Sequence, residues 1–293
     1  MKPITIQSRG PQLYLANHKM SLQFQNMAAS ITGQSYYAKS IQFSEQLSTE
    51  YFTSLGMNSF SAVAAAQPEG NVSISFYVTT GEEISAITGQ YGRTGFVSVK
   101  AGPFSTDTAL LSSFSVQGDS LGIVEASVDY TYYGQLTSGS ATSIGSETII
   151  PVHGGATLAE VQDLGVSSIL SFDYSVSQTY NVQYGIGSAT PQRVSFTEGE
   201  RTLNLNAQTQ DISFSKTSLT GVSGLCPSAI GEGGFVPKTG KVILKNLCGE
   251  TVSTLDISGY LESRNFDASP GQNVNSSLTF TEKFPNSNIK VGC

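Results

Sequence analysis

Tryptophan is absent from this chain, and only two histidines and three cysteines occur among its 293 residues. Each shortage excludes some chemistry. The histidines, His18 and His153, stand far apart and in no metal-ligand spacing such as HExxH, so both read as surface or structural residues. Cys226, Cys248 and Cys293 form no CxxC pair and no disulfide framework, which predicts free thiols in a reducing compartment. Charge is scarce too: Asp, Glu, Lys and Arg make up 13% of residues, about half the usual share. Because the net charge is −7, the chain lacks the clustered cations that a nucleic-acid groove needs to replace phosphate counterions. No segment approaches the ~18 apolar residues of a membrane helix. The start, MKPITIQSRGPQLYL, has no signal-peptide core. The expectation is a soluble product of the cytoplasm that binds no membrane.

What fills the chain instead is Ser, Thr, Asn, Gln, aromatics and 30 glycines, a composition of sheets and turns. Alternating runs recur at 40–47, 72–78, 95–99 and 124–132, then at 169–176, 201–207, 241–247 and 274–280. Two-residue alternation between turn residues predicts antiparallel strands with one buried and one wet face. In the clearest run, Val124, Ala126, Val128, Tyr130 and Tyr132 share one side. Glu125, Ser127, Asp129 and Thr131 share the other, a polar face turned to solvent or to a channel. Two short helices are predicted from capping boxes: Thr157–Glu160, stopped by Gly165, and a weaker one from Thr80–Glu83, ending at Gly89. The segment Leu136–Glu147, rich in Gly, Ser and Thr, reads as a linker.

The two sets of runs match each other. At an offset of 129, Phe43 meets Phe172, Tyr51 meets Tyr180, and Glu69-Gly70 meets Glu198-Gly199. At an offset of 150, Leu111 meets Leu261, Ser113 meets Ser263, Val124 meets Val274, and Tyr130 meets Phe280. The difference between offsets predicts a surface insertion at Ser223–Gly240. The chain thus reads as two similar antiparallel β domains, 1–140 and 141–293, each with at most a short helix.

Nothing in the pattern predicts catalysis, a cofactor or a metal. Glu82-Glu83 suit the start of a helix, where its dipole favours negative charge. Gly231-Glu-Gly-Gly234 lacks the Lys-Ser/Thr of a phosphate loop. Tyr36-Tyr37 and Tyr132-Tyr133 fit a sheet core or interface better than a sugar platform.

The stretch GYLESRNFDASPGQNVNSSLTFTEKF (259–284) resembles the late part of bacteriophage tail tube proteins, where a Gly-apolar-Leu-x-Ser strand leads through a Pro/Gly turn into an alternating last strand. The earlier copy, TALLSSFSVQGDSLGIVEASVDYTYYG (108–134), is similar, with Ala109 for the glycine and Asp119-Ser120-Leu121 for the turn. The resemblance implies β-sandwich or β-barrel-forming domains that join their sheets around a DNA channel. A duplicated subunit resembles the trimeric variant, in which three chains make a pseudo-sixfold ring. It implies a virion tail protein, made in the host cytoplasm, whose partners are copies of itself and other tail proteins. DNA would pass through without specific binding. The arms Met1–Asn17 and Pro285–Cys293 are then expected to reach neighbouring subunits. Two readings compete: a baseplate, distal-tail or hub adaptor, and a tandem β-sandwich module that binds a receptor or glycan through Ser223–Gly240 and exposed tyrosines.

Overall fold

Nearly every alternating run becomes a strand in the computed structural model, which is mainly β. The structure describes residues 18–47, 49–52, 61–64, 69–134, 136–139, 150–161, 165–185, 191–209, 238–267 and 274–284. The N-terminal portion contains β1 (His18–Ile31), β2 (Gln34–Leu47), β3 (Thr49–Phe52), β4 (Ser61–Ala64), β5 (Glu69–Tyr77), α1 (Gly81–Thr88), β6 (Val97–Ala101), β7 (Phe104–Asp119), β8 (Glu125–Tyr133) and β9 (Thr137–Ser138). The C-terminal portion contains β10 (Leu158–Val161), β11 (Gly165–Tyr184), β12 (Pro191–Thr209), β13 (Lys238–Lys245), β14 (Thr251–Asp267) and β15 (Val274–Phe284).

The pairings of the first portion close on themselves. The order β1-β2-β5-β8-β7-β6 returns to β1, giving a six-strand barrel, all antiparallel. Closure removes sheet edges that would otherwise invite aggregation. The β1–β2 connection is a two-residue turn in which Thr32 and Gly33 both take positive φ, the geometry whose twist matches a hairpin. Pairings in the second portion also return to their start, in the order β10-β11-β12-β15-β14-β13.

The two circuits share irregularities as well as order. The ladder shifts register between Leu111 and Ser113 on β7, and again between Leu261 and Ser263 on β14, at the offset of 150. A second shift lies between Ala38 and Ser40 on β2, and between Ile169 and Ser171 on β11. The latter pair is 131 apart, not 129. The separation thus differs by two from the sequence match, a difference that keeps every side chain on its face. The turn joining β13 to β14, after Lys245, is longer than the β6–β7 turn at Gly102-Pro103. Residues 223–237 of the expected insertion, both arms, and 140–147 of the expected linker lie outside the described residues; Thr137 and Ser138 of that linker form β9 against β7.

The capping box at Thr80 forms as expected. Its hydroxyl accepts from the Glu83 amide, and the Glu83 carboxylate accepts back from the Thr80 amide. The box at Thr157 does not start a helix. Leu158–Val161 is instead strand β10, clasped between β11 and β13, with Ala159 and Val161 buried. Two backbone ladders outweigh one cap, and the Thr157 hydroxyl donates to the His153 carbonyl.

One apolar cluster runs through both circuits, with Phe43, Ile74, Val128 and Tyr130 in the first and Phe172, Tyr174, Leu205 and Phe280 in the second. Fully burying each such side chain contributes about 1.5–3 kcal/mol. Helix α1 and the chain after it connect the halves. Gly81 lies so close to the Val252 carbonyl of β14 that an added Cβ would stand 2.2 Å from that oxygen. The Gly92 amide donates to Gln178 Oε1 at 2.6 Å, while Gln178 Nε2 donates to the Leu111 carbonyl at 3.3 Å. The Arg201 guanidinium lies 5.0 Å from the ring centres of both Tyr91 and Phe284 and pairs with Glu282 at 3.4 Å.

Candidate functional site

The side of the strands opposite the core is where the polar residues collect. Strand β7 pairs on one edge with β8 and on the other with β11, register Ser113↔Ser177 through Asp119↔Ser171. That seam fuses strands of both circuits into one sheet, in the order β2-β5-β8-β7-β11-β12-β15. Cross-strand rows follow from the registers. One reads Ser40, Ser75, Ser127, Ser115, Ser175, Thr202, Thr281; its neighbour reads Glu125, Gln117, Asp173, Asn204, Thr279.

Within this face the four residues expected from the sequence, Glu125, Ser127, Asp129 and Thr131, are half-buried and bonded to their neighbours. Asp129 accepts from the hydroxyls of Ser73 and Ser113, the latter at 2.6 Å. The Ser127 and Ser115 hydroxyls lie 2.9 Å apart, and the Thr131 hydroxyl donates to Asn71 Oδ1 at 3.0 Å. Glu125 pairs with Lys39 at 2.7 Å. The second circuit continues the pattern: Asn206 Nδ2 donates to Ser171, and the Thr279 hydroxyl donates to Asn204. Asp173, Asn204 and Thr202 were not singled out from the sequence, although the alternation of 169–176 and 201–207 signals their face.

Carboxylates outnumber cations here. Asp119, Glu125, Asp129, Asp173 and Glu200 stand against Lys39 and Lys283, each lysine already paired with a glutamate. Burial pushes the Asp173 carboxyl up from its ordinary value. A depression of about 520 Å³ in the face is lined by Gln117, Asp119, Glu125 and Asp173. This arrangement is broad, hydroxyl-rich and acidic.

Several other residues considered above have structural surroundings. His153 caps the 3-10 turn Gly154–Ala156, its Nδ1 accepting from the Gly155 amide at 3.1 Å. Strand β1 starts at His18. The carboxylate of Glu83 is buried in its capping box. The Tyr36 hydroxyl donates to the Glu83 carbonyl, and Tyr36, Tyr132 and Tyr133 are all buried, so they offer no ring to a sugar. Cys248 is an exposed free thiol. Gly231–Gly234 lies outside the described residues. Among the described residues, no group of three or more His, Cys, Asp or Glu could hold a metal ion, and no helix is long and apolar enough to cross a membrane. No known protein family matches the chain, and no curated protein matches it.

Proposed function

We propose that this chain is a structural protein of a bacteriophage tail, a duplicated tail-tube-type subunit of which three copies form a ring. Rings stack into the tube through which DNA passes. The observation that carries this reading is the β7–β11 seam, which joins two circuits of like order edge to edge and leaves one shared polar face. The matching register shifts at offsets of 131 and 150 support descent of the halves from one repeated domain, 1–140 and 141–293.

A face of this composition suits a conduit. A carboxylate about 10 Å from a phosphate in water repels it by roughly 0.4 kcal/mol, weak singly but repeated along every ring. Ser73, Ser113, Thr131 and Thr279 already donate to neighbouring side chains, which leaves fewer free donors for phosphate oxygens. The seam is a heterologous contact, and such contacts close into rings when the rotation permits. The reading assigns no chemical step, cofactor or membrane to the chain; its partners are further copies and other tail proteins.

Negative-stain microscopy with mass measurement of the purified protein tests this. Rings whose mass is a multiple of three chains, stacked into long tubes, are expected. Isolated rings that never stack would favour the tail-tip adaptor. A protein that stays monomeric at high concentration would overturn the proposal, and glycan binding by that monomer would favour the receptor-binding module.

A further inference from the structure

The seam inside the chain is a template for a seam between chains. In it, β7 lies along residues 171–177 of β11. By the correspondences above, β14 is the counterpart of β7 and β2 the counterpart of β11. Transferring the register sets Ser263 opposite Gln46, Asn265 opposite Ser44, and Asp267 opposite Gln42 of a second copy. It also sets basic position 264 against acidic position 45, and Phe266 against Phe43.

Among the described residues, one partner edge is open and the other is taken. Among the described residues, no strand pairs with the outer edge of 261–267 on β14, since β13 pairs only with Thr251–Gly259. On β2 the required edge is covered by the first half of β1, with Lys19↔Gln46, Ser21↔Ser44 and Gln23↔Gln42. Among the described residues, that half has no counterpart in the second circuit. Strand β10 covers only residues 165–168 of β11, matching the Ala28–Ile31 part of β1. The chain before β10 leaves the sheet through the turn at Gly154–Ala156, whose Gly154 amide donates to the Gly122 carbonyl. The edge it leaves uncovered is the one β7 occupies.

We propose that the 19–23 segment of β1 is a placeholder strand: it covers, in the lone chain, the seat that 263–267 of a neighbouring copy takes on assembly. This rests on the self-assembly reading above. The device keeps an assembly-competent edge covered until a correct partner exchanges for it, strand for strand and with equal backbone hydrogen bonds.

The test uses the full chain with Cys226, Cys248 and Cys293 replaced by serine. Ser21→Cys with Ser44→Cys, oxidised, locks the placeholder. Ser30→Cys with Ser35→Cys locks the part of β1 that has a counterpart in β10. Thiol titration confirms each disulfide. Assembly should be lost in the first variant, return on reduction, and persist in the second. Ser44→Cys with Asn265→Cys should give a ladder of disulfide-linked oligomers on a non-reducing gel. If the parent chain assembles and the locked Ser21–Ser44 variant assembles equally well, the inference is wrong while the function stands. Cross-linking between positions 265 and 21 of neighbouring copies, in place of 265 and 44, would likewise overturn it. If the parent chain does not assemble, both fall.

Discussion

Gly70 is a position where a single methyl should do heavy damage. It lies in β5 directly across from Tyr132 on β8, with Glu45 opposite on β2. A Cβ there would stand 2.3 Å from both Cζ and Oη of Tyr132 and 2.4 Å from the Ser44 carbonyl oxygen. The ring is fully buried, and the carbonyl belongs to a ladder, so neither neighbour can step aside cheaply. Gly70→Ala should therefore cost about 3 kcal/mol, the upper part of the overpacking range. For a domain of this size that corresponds to roughly 6–12 °C in Tm. Gly95→Ala, where a Cβ would meet nothing within 4 Å, is the control and should stay within about 0.5 kcal/mol. The Tyr132 hydroxyl is buried without a hydrogen-bond partner among the described residues, so Tyr132→Phe should be tolerated and should recover part of the Gly70→Ala loss. Urea and thermal unfolding followed by circular dichroism measure all of these. A Gly70→Ala protein as stable as the parent would show that β5 is not clamped between β2 and β8, and the barrel register would have to be redrawn.

Two further predictions concern pH. Burial raises the phenols of Tyr36, Tyr130 and Tyr132, and pushes those of Tyr133 and Tyr180 up to about 12. A phenol harder to ionise when folded adds stability that is complete below about pH 10 and is lost as pH rises through the folded values. Alkali should unfold the protein in the same transition that ionises these tyrosines, read by near-ultraviolet difference absorbance; their ionisation with circular dichroism intact would contradict the burial. Desolvation likewise raises Glu83 above its ordinary 4.5, against the hydrogen bonds from Thr79 and Thr80. Its contribution is present below that value and lost as pH rises through the folded one, so Glu83→Gln should flatten this part of the profile; parallel Tm profiles for the two proteins would refute the assignment.

The strands were legible because alternation is a local property. Val124 to Tyr132 announces both its faces without reference to any partner. Strand β1 was harder, since Met20, Leu22 and Phe24 alternate in one phase and Met27, Ala29 and Ile31 in the other. Strand β2 switches phase likewise between the buried pairs Tyr36, Ala38 and Ile41, Phe43, and β11 does so between Ile169 and Phe172. A phase break reads as a strand end when it is a register shift inside a longer strand. The helix misread at Thr157 had a sound local signal that two neighbouring strands overrode. The polar face was half legible: Glu125 to Thr131 could be named, but its continuation through Asp173 and Asn204 depends on the β7–β11 seam, which no local pattern encodes.

That seam has a consequence for dilution. A contact between strands of one chain forms at an effective concentration set by their covalent connection, however thin the solution. A contact of the same kind between separate chains depends on how many chains are present. Cutting the backbone between residues 139 and 150 would convert the first sort into the second, and the two halves would then have to find each other by encounter.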